Sequence, residues 1–257
     1  AALRGHEVTL FEAAPRAGGQ VLLATTVPSR RELIGIVDWR VAEIERMGVR
    51  VRYNSYAGAA EVAEENPDVV LVATGGLPDR DERVPGAEHR LSVWEALEDP
   101  SALQGDVLVY DGTGQIHAPT LAEVLAPRVA SLTFVTCDMQ PLQELSYLDR
   151  PFNLKRLYST GVTFKTDLRL RAVEGAGNGY EAVLTNEFSD QVTRLACDRV
   201  VIEAGVVPVT ELYDSLRGES RNNGITDMDA LLEGRAQDRA CNPAGGFDLH
   251  LIGDALA

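Results

Sequence analysis

With 257 residues, 45% of them hydrophobic and 25% charged, the chain has the length and balance of a packed globular protein with one large domain or two ordinary ones. No apolar run approaches the roughly 20 residues of a bilayer span, and no signal-peptide pattern is visible. The net charge of −15 argues against nucleic acid and anionic membranes as partners.

Residues 1–4, Ala-Ala-Leu-Arg, read as the tail of a helix. Val8 to Phe11 is a short apolar strand that ends on the carboxylate Glu12, and the pair Gly18-Gly19 follows with Gln20. This is how the second strand of a dinucleotide-binding unit is built. The acid accepts the ribose hydroxyls of an adenosine, and the bare backbone beyond it lets a cofactor approach closely. The first strand and its G-x-G-x-x-G loop belong immediately upstream, so the unit is expected to be truncated at its N-terminus. After a polar stretch, apolar residues at Leu33, Ile34, Val37, Val41 and Ile44 predict a helix over 32–47 closed by Gly48. A strand over 49–53, a short helix near 57–65 and a continuous apolar run, 68–72, come next. That run predicts a parallel strand buried on both faces, leading into Ala73-Thr74-Gly75-Gly76.

The pattern restarts at Gly105, with a strand at Val107 to Tyr110 and a tight turn, Asp111-Gly112-Thr113-Gly114. A helix is predicted from Pro119 to Arg128, a strand from Leu132 to Thr136, a helix near 152–159 and an extended segment at 162–164. From Leu168 to Ala196 the period switches to two, which predicts a three-stranded antiparallel meander turning at Gly177-Asn178-Gly179. Residues 198–205 repeat the strand-and-turn logic of the run ending at Gly75. The fold class is therefore α/β: two Rossmann-like three-layer folds, one inserted in the other, with an antiparallel meander. The expected domains are 1–100 with 206–257 as an FAD- or ADP-binding fold, and 101–205 as an inserted NAD(P)-binding-like fold.

Glu12, Gly18, Gly19 and Gln20 gain weight from Ala73, Thr74 and Gly75, whose small residues sit where the chain passes close to a dinucleotide. At the far end, Gly253-Asp254 follows a strand and places a carboxylate for a flavin ribityl hydroxyl; capping of a following helix is the alternative for Asp254. The inserted fold offers Gly112 and Gly114 as a possible second nucleotide site. Its G-x-G-x-x-G pattern is broken in either register. Asp111, Thr113 and Ile116 fill the three places in one, and His117 fills the third in the other, where helix and strand must pack closely. Asp111 also puts a negative charge where a pyrophosphate would lie, so NAD(P)H binding is not expected and the site reads as vestigial.

Cys137, Cys197 and Cys241 form no C-x-x-C and no cluster spaced for zinc or iron–sulfur, which points to buried reduced thiols in a cytoplasmic protein. The four histidines are scattered, and no acid, base or nucleophile constellation assigns a catalytic residue within this chain. Trp39, Trp94, Phe11, Phe134 and Phe152 are expected in the core, and Arg30-Arg31 as an exposed pair or a phosphate contact.

Through H-E-V-T-L-F-E-A, G-G-Q, I-V-D-W-R-V-A-E-I-E-R-M-G-V, D-V-V-L-V-A-T-G-G and I-G-D-A, the chain resembles the C-terminal region of the multidomain NADH:flavin oxidoreductases related to Old Yellow Enzyme. That group includes 2,4-dienoyl-CoA reductase, trimethylamine and histamine dehydrogenases, and N-demethylases. The resemblance implies FMN and a 4Fe–4S cluster in an N-terminal part, and FAD or ADP in the region seen here. It further implies an amine dehydrogenase or N-demethylase that passes electrons to an electron-transferring flavoprotein, active as a homo-oligomer at full length, with this region alone inactive. An NAD(P)H-dependent enoate or dienoyl-CoA reductase, a glutamate-synthase small-subunit type and a non-catalytic adenine-nucleotide-binding module remain the alternatives. The missing C-x-x-C argues against the thioredoxin-reductase type.

Overall fold

The structure is a computed structural model that describes residues 1–237 and 241–256. After a 3-10 turn at Ala2–Arg4 the elements run β1 (Thr9–Phe11), α1 (Gln20–Ala24), α2 (Ile34–Arg46), β2 (Arg50–Arg52), α3 (Ala59–Glu64), β3 (Val69–Val72) and β4 (Gly76–Pro78). Then come β5 (Arg90–Ser92), α4 (Val93–Glu98), β6 (Asp106–Asp111), α5 (His117–Leu125), β7 (Ser131–Thr136), α6 (Asp149–Ser159) and β8 (Thr163–Lys165). The meander is β9 (Leu168–Ala176), β10 (Gly179–Asn186) and β11 (Val192–Cys197). The chain closes with β12 (Arg199–Glu203), β13 (Val206–Pro208), α7 (Glu211–Arg217), α8 (Met228–Leu232) and β14 (Asp248–Leu251). No helix among the described residues is long and apolar enough to cross a membrane.

Contacts divide the chain into two compact units, one of Ala1–Gly19, Ile34–Leu77 and Val206–Ala257, the other of Gln20–Leu33 and Pro78–Gly205. The boundaries differ from the sequence reading at two places. Residues 78–100 join the second unit because β5 pairs in parallel with β12, Val200 opposite Arg90. Residues 20–33 join it as well, and Val27 is fully buried in its core.

In the first unit, β1 pairs with β2 and β3 with β14, both in parallel, and no strand joins β1 to β3 among the described residues. Glu65 fastens the β1–β2 pair by accepting from the Thr9 hydroxyl at 2.9 Å and pairing with Arg50 and Arg52. The strand at 69–72 is not buried on both faces. Val72 and Leu249 pack with Val62, Leu216 and Phe247, whereas Val69 and Leu71, on the opposite face, are 52% and 56% exposed. Among the described residues only one face of this pair is covered, since α3 and α7 pack on the same side. Asn222 holds β14 from inside the unit: its amide donates to the Leu249 carbonyl at 2.8 Å and its oxygen accepts the Leu249 N–H at 2.9 Å.

The second unit is a five-stranded parallel sheet in the order β5-β12-β6-β7-β8, with α4 and α5 on one face and the meander on the other. Alternation along β6 makes these layers. Val107 and Val109 point to the helices, into a cluster with Leu121, Leu125, Phe134 and Val201, while Leu108 and Tyr110 point to Leu170, Val173, Ala182 and Leu184 of the meander. The meander expected from the period of two is present, with its bend at 177–178 between β9 and β10. Ser92 starts α4 with a capping box, accepting the Glu95 N–H while the Glu95 carboxylate accepts the Ser92 N–H at 2.9 Å.

Several element ends move. The helix expected at 119–128 begins two residues earlier, at His117, so Pro119 is its third residue rather than near its start. The Ile116 carbonyl accepts the first helical bond, from the Thr120 N–H at 3.0 Å, and a proline within the first turn loses no helical bond. The polar stretch after Gly19 contains α1 and a 3-10 segment, Pro28–Leu33. Of the aromatic residues expected inside, Phe134 is fully buried, whereas Trp39 and Phe152 are 62% and 69% exposed, on the polar sides of α2 and α6. Cys197 is buried, Cys137 is half-buried and Cys241 is exposed, so the thiols are not uniformly inside.

Candidate nucleotide site

Glu12 follows β1 directly and remains half-exposed. Its backbone N–H donates to the Arg52 carbonyl and one carboxylate oxygen accepts the Ala14 N–H, both at 2.9 Å. The carboxylate is thus aimed by a turn at the carboxyl end of a parallel strand, where α/β folds bind their ligands. Gly18 and Gly19 take φ of 131° and 48°, a left-handed stretch that only glycine adopts without strain. Gln20 lies beyond them, as the first residue of α1.

Parallel pairing of β3 with β14 sets Leu251 opposite Val72 and so places the Ala73-Thr74-Gly75 turn beside Gly253-Asp254. The Ile252 N–H donates to the Val72 carbonyl at 2.9 Å, and the Thr74 hydroxyl and Gly75 carbonyl both tie to Val209. Gly75 and Gly253 have φ of 74° and 67°. Asp254 is inside the short 3-10 turn Gly253–Ala255, whose N-cap is Ile252, so it is not a helix cap. The structure brings Ala73, Thr74 and Gly75 beside Gly253 and Asp254, while Glu12, Gly18 and Gly19 lie on the segment between β1 and α1.

A Cβ built on Gly19, Gly75 or Gly253 meets no described atom within 4 Å, so the backbone is bare and faces open space. An adenosine ribose on Glu12 and a pyrophosphate over bare backbone are compatible with that arrangement.

The inserted fold gives the opposite result. A Cβ on Gly114 falls 2.7 Å from the Asp138 carboxylate, and one on Gly112 falls 3.1 Å from the Glu203 carbonyl. The close approach these glycines permit is already taken by protein. Asp111 ends β6 and Glu203 ends β12, and the two strands hold them side by side where the strand order of the sheet reverses. Both side chains are buried. Burial pushes the Asp111 carboxyl up to about 6 against the pull of the Thr113 and Gly114 N–H groups. Burial, together with the Asp111 charge, pushes Glu203 up to about 7.

His117 does not jam the helix against the strand, as its place in the glycine pattern implies. Its side chain is half-buried, with Nδ1 3.8 Å from the Glu203 carboxylate. The missed residue is Glu203. The repeat of strand and turn at 198–205 signals it, since a Glu stands in Val-Ile-Glu-Ala-Gly where the earlier run has Ala.

No family model matches the chain. It is 41% identical over its whole length to a multifunctional alkene reductase/demethylase OYE of Caballeronia cordobensis, of which it covers 38%. It is 37% identical over 99% of its length to a probable N-methylproline demethylase of Rhizobium meliloti, and 35% identical over all of it to an N,N-dimethylglycine/sarcosine dehydrogenase of Chromohalobacter salexigens. It covers 38% and 39% of those two, so the chain spans under two-fifths of the curated relatives it matches. Among solved structures, histamine dehydrogenase from Rhizobium sp. 4-9 superposes with a TM-score of 0.77 at 22% identity, over all of this chain and 38% of that one. Lactococcus lactis thioredoxin reductase does so with a TM-score of 0.64 at 19% identity, over 99% of this chain and 84% of that one. These two likenesses establish the fold. By its sequence relatives, the chain belongs to the NADH:flavin oxidoreductase family related to Old Yellow Enzyme, as one part of those multidomain proteins.

Proposed function

We propose that this region binds the adenosine of ADP or FAD in its first unit, within a full-length flavoprotein oxidoreductase that acts as an amine dehydrogenase or N-demethylase. The observation that carries this reading is the contrast between the two folds. Gly19, Gly75 and Gly253 of the first unit face open space, whereas Gly112 and Gly114 of the inserted fold lie against the Glu203 carbonyl and the Asp138 carboxylate. A family member whose second fold takes no pyridine nucleotide receives its electrons from substrate and delivers them to an acceptor such as an electron-transferring flavoprotein. FMN and a 4Fe–4S cluster in the remaining part of the protein would supply C–N oxidation and single-electron transfer.

Within this chain, Glu12 would accept ribose hydroxyls, Gly18, Gly19 and Gly75 would admit the phosphates, and Asp254 would meet the ribityl chain if the ligand is FAD. None of these residues moves a proton in the reaction. The names of the relatives support both demethylation and alkene reduction, so NAD(P)H-dependent enoate reduction is the second reading. Anaerobic mixing of the full-length protein with an N-methylated amino acid and, separately, with NADPH tests the choice. Flavin bleaching by the amine alone is expected, and rapid bleaching by NADPH would favour the reductase.

A further inference from the structure

The turn of the inserted fold spends its own anion-binding groups. Gly112 N–H donates to the Glu203 carbonyl at 2.8 Å, and the N–H groups of Thr113 and Gly114 both donate to Asp111 Oδ1, at 3.1 and 3.0 Å. Gln115 N–H reaches the Thr113 hydroxyl, and that hydroxyl in turn donates to Asp111 Oδ1 at 3.2 Å. These are the amides that, before a helix such as α5, would hold a phosphate. Asp111 is fully buried, and its Oδ2 has no hydrogen-bond partner among the described residues. A buried, half-satisfied carboxylate is costly and calls for a role beyond holding a turn, which a neutral Asn or Ser would also hold.

We propose that the Asp111 carboxylate is a resident substitute for phosphate and a specificity determinant, which fills the anion nest of the inserted fold and so excludes NAD(P)H. Glu203, paired in register beside it, adds a second carboxylate that a pyrophosphate would have to approach. The inference deepens the proposed function and rests on its premise that the second fold takes no pyridine nucleotide.

The test is titration of NADPH into the full-length protein, followed by nucleotide fluorescence, for the wild type, Asp111→Gly, Asp111→Ala and Asp111→Asn. Freeing the nest in the Gly and Ala variants is expected to tighten NADPH binding at least ten-fold over the wild type. Asp111→Asn keeps an oxygen in the nest and is expected to bind no better than the wild type. Wild-type binding with a micromolar Kd, folded Gly and Ala variants that gain nothing, or an Asn variant that gains as much as Ala would each overturn the proposal. Flavin reduction by NADPH in the wild type, combined with the ten-fold gain on Asp111→Gly, would overturn only the electron route proposed above. The same reduction with no gain would overturn both.

Discussion

Asp111 and Glu203 make the inserted fold sensitive to pH. In the unfolded chain they titrate near 3.9 and 4.3, whereas burial holds them at about 6 and about 7 in the fold. Between those limits the folded protein binds more protons than the unfolded one. Their contribution to stability is therefore full below about pH 4 and is lost as pH rises through 6 and 7, by roughly 3 kcal/mol for each carboxylate. Glu203→Gln is expected to flatten the fall in melting temperature between pH 5 and 8 and to raise the value at pH 8 by roughly 5 °C. An unchanged slope in that variant would contradict the assignment. In the first unit, Glu12→Ala removes the ribose acceptor and is expected to weaken ADP or FAD binding by about 2 kcal/mol, near thirty-fold, in calorimetry of the full-length protein.

At the scale of elements, two glycines with left-handed backbone separate packing from cofactor access. Gly86 has φ of 85°, and a Cβ there falls 2.0 Å from the Val173 carbonyl, at the place where Val173 N–H donates to Pro85. Gly86→Ala is expected to cost about 3 kcal/mol or more in denaturant unfolding, because both the backbone and the meander must shift. Gly19→Ala meets no atom and carries only the left-handed penalty of roughly 1 kcal/mol. A larger loss of nucleotide affinity than of stability in Gly19→Ala would mark it as a ligand contact. The meander and the strands of the inserted fold were legible because period-two alternation and apolar runs are local signals, and β6 and β7 came within one residue of their predicted ends. The segment 20–33 was not legible, since its short helix and 3-10 turn owe their place to Val27 in a core assembled from distant strands. The exposure of Val69 and Leu71 was also beyond reach, because an apolar run does not say whether a second layer will cover it.

At the scale of the whole molecule, two similar folds have diverged in what their turns do. Strand-end acids, glycine pairs and the A-T-G and G-D-A turns identified the family and the α/β class from sequence, since each is a short motif with a fixed place in the fold. The burial of Asp111 against its own turn, the filling of Gly114 by Asp138 and the partnership with Glu203 needed three dimensions. We propose that the adenine nucleotide belongs to the unit carrying Glu12 and not to the turn carrying Asp111. Chromatography of the nucleotides released from the denatured full-length protein tests it most directly, for the wild type and for Glu12→Arg. One equivalent of ADP or FAD per chain is expected from the wild type and little from Glu12→Arg, with no NAD(P) from either. Retention of the full equivalent in Glu12→Arg, or release of NAD(P), would contradict the account.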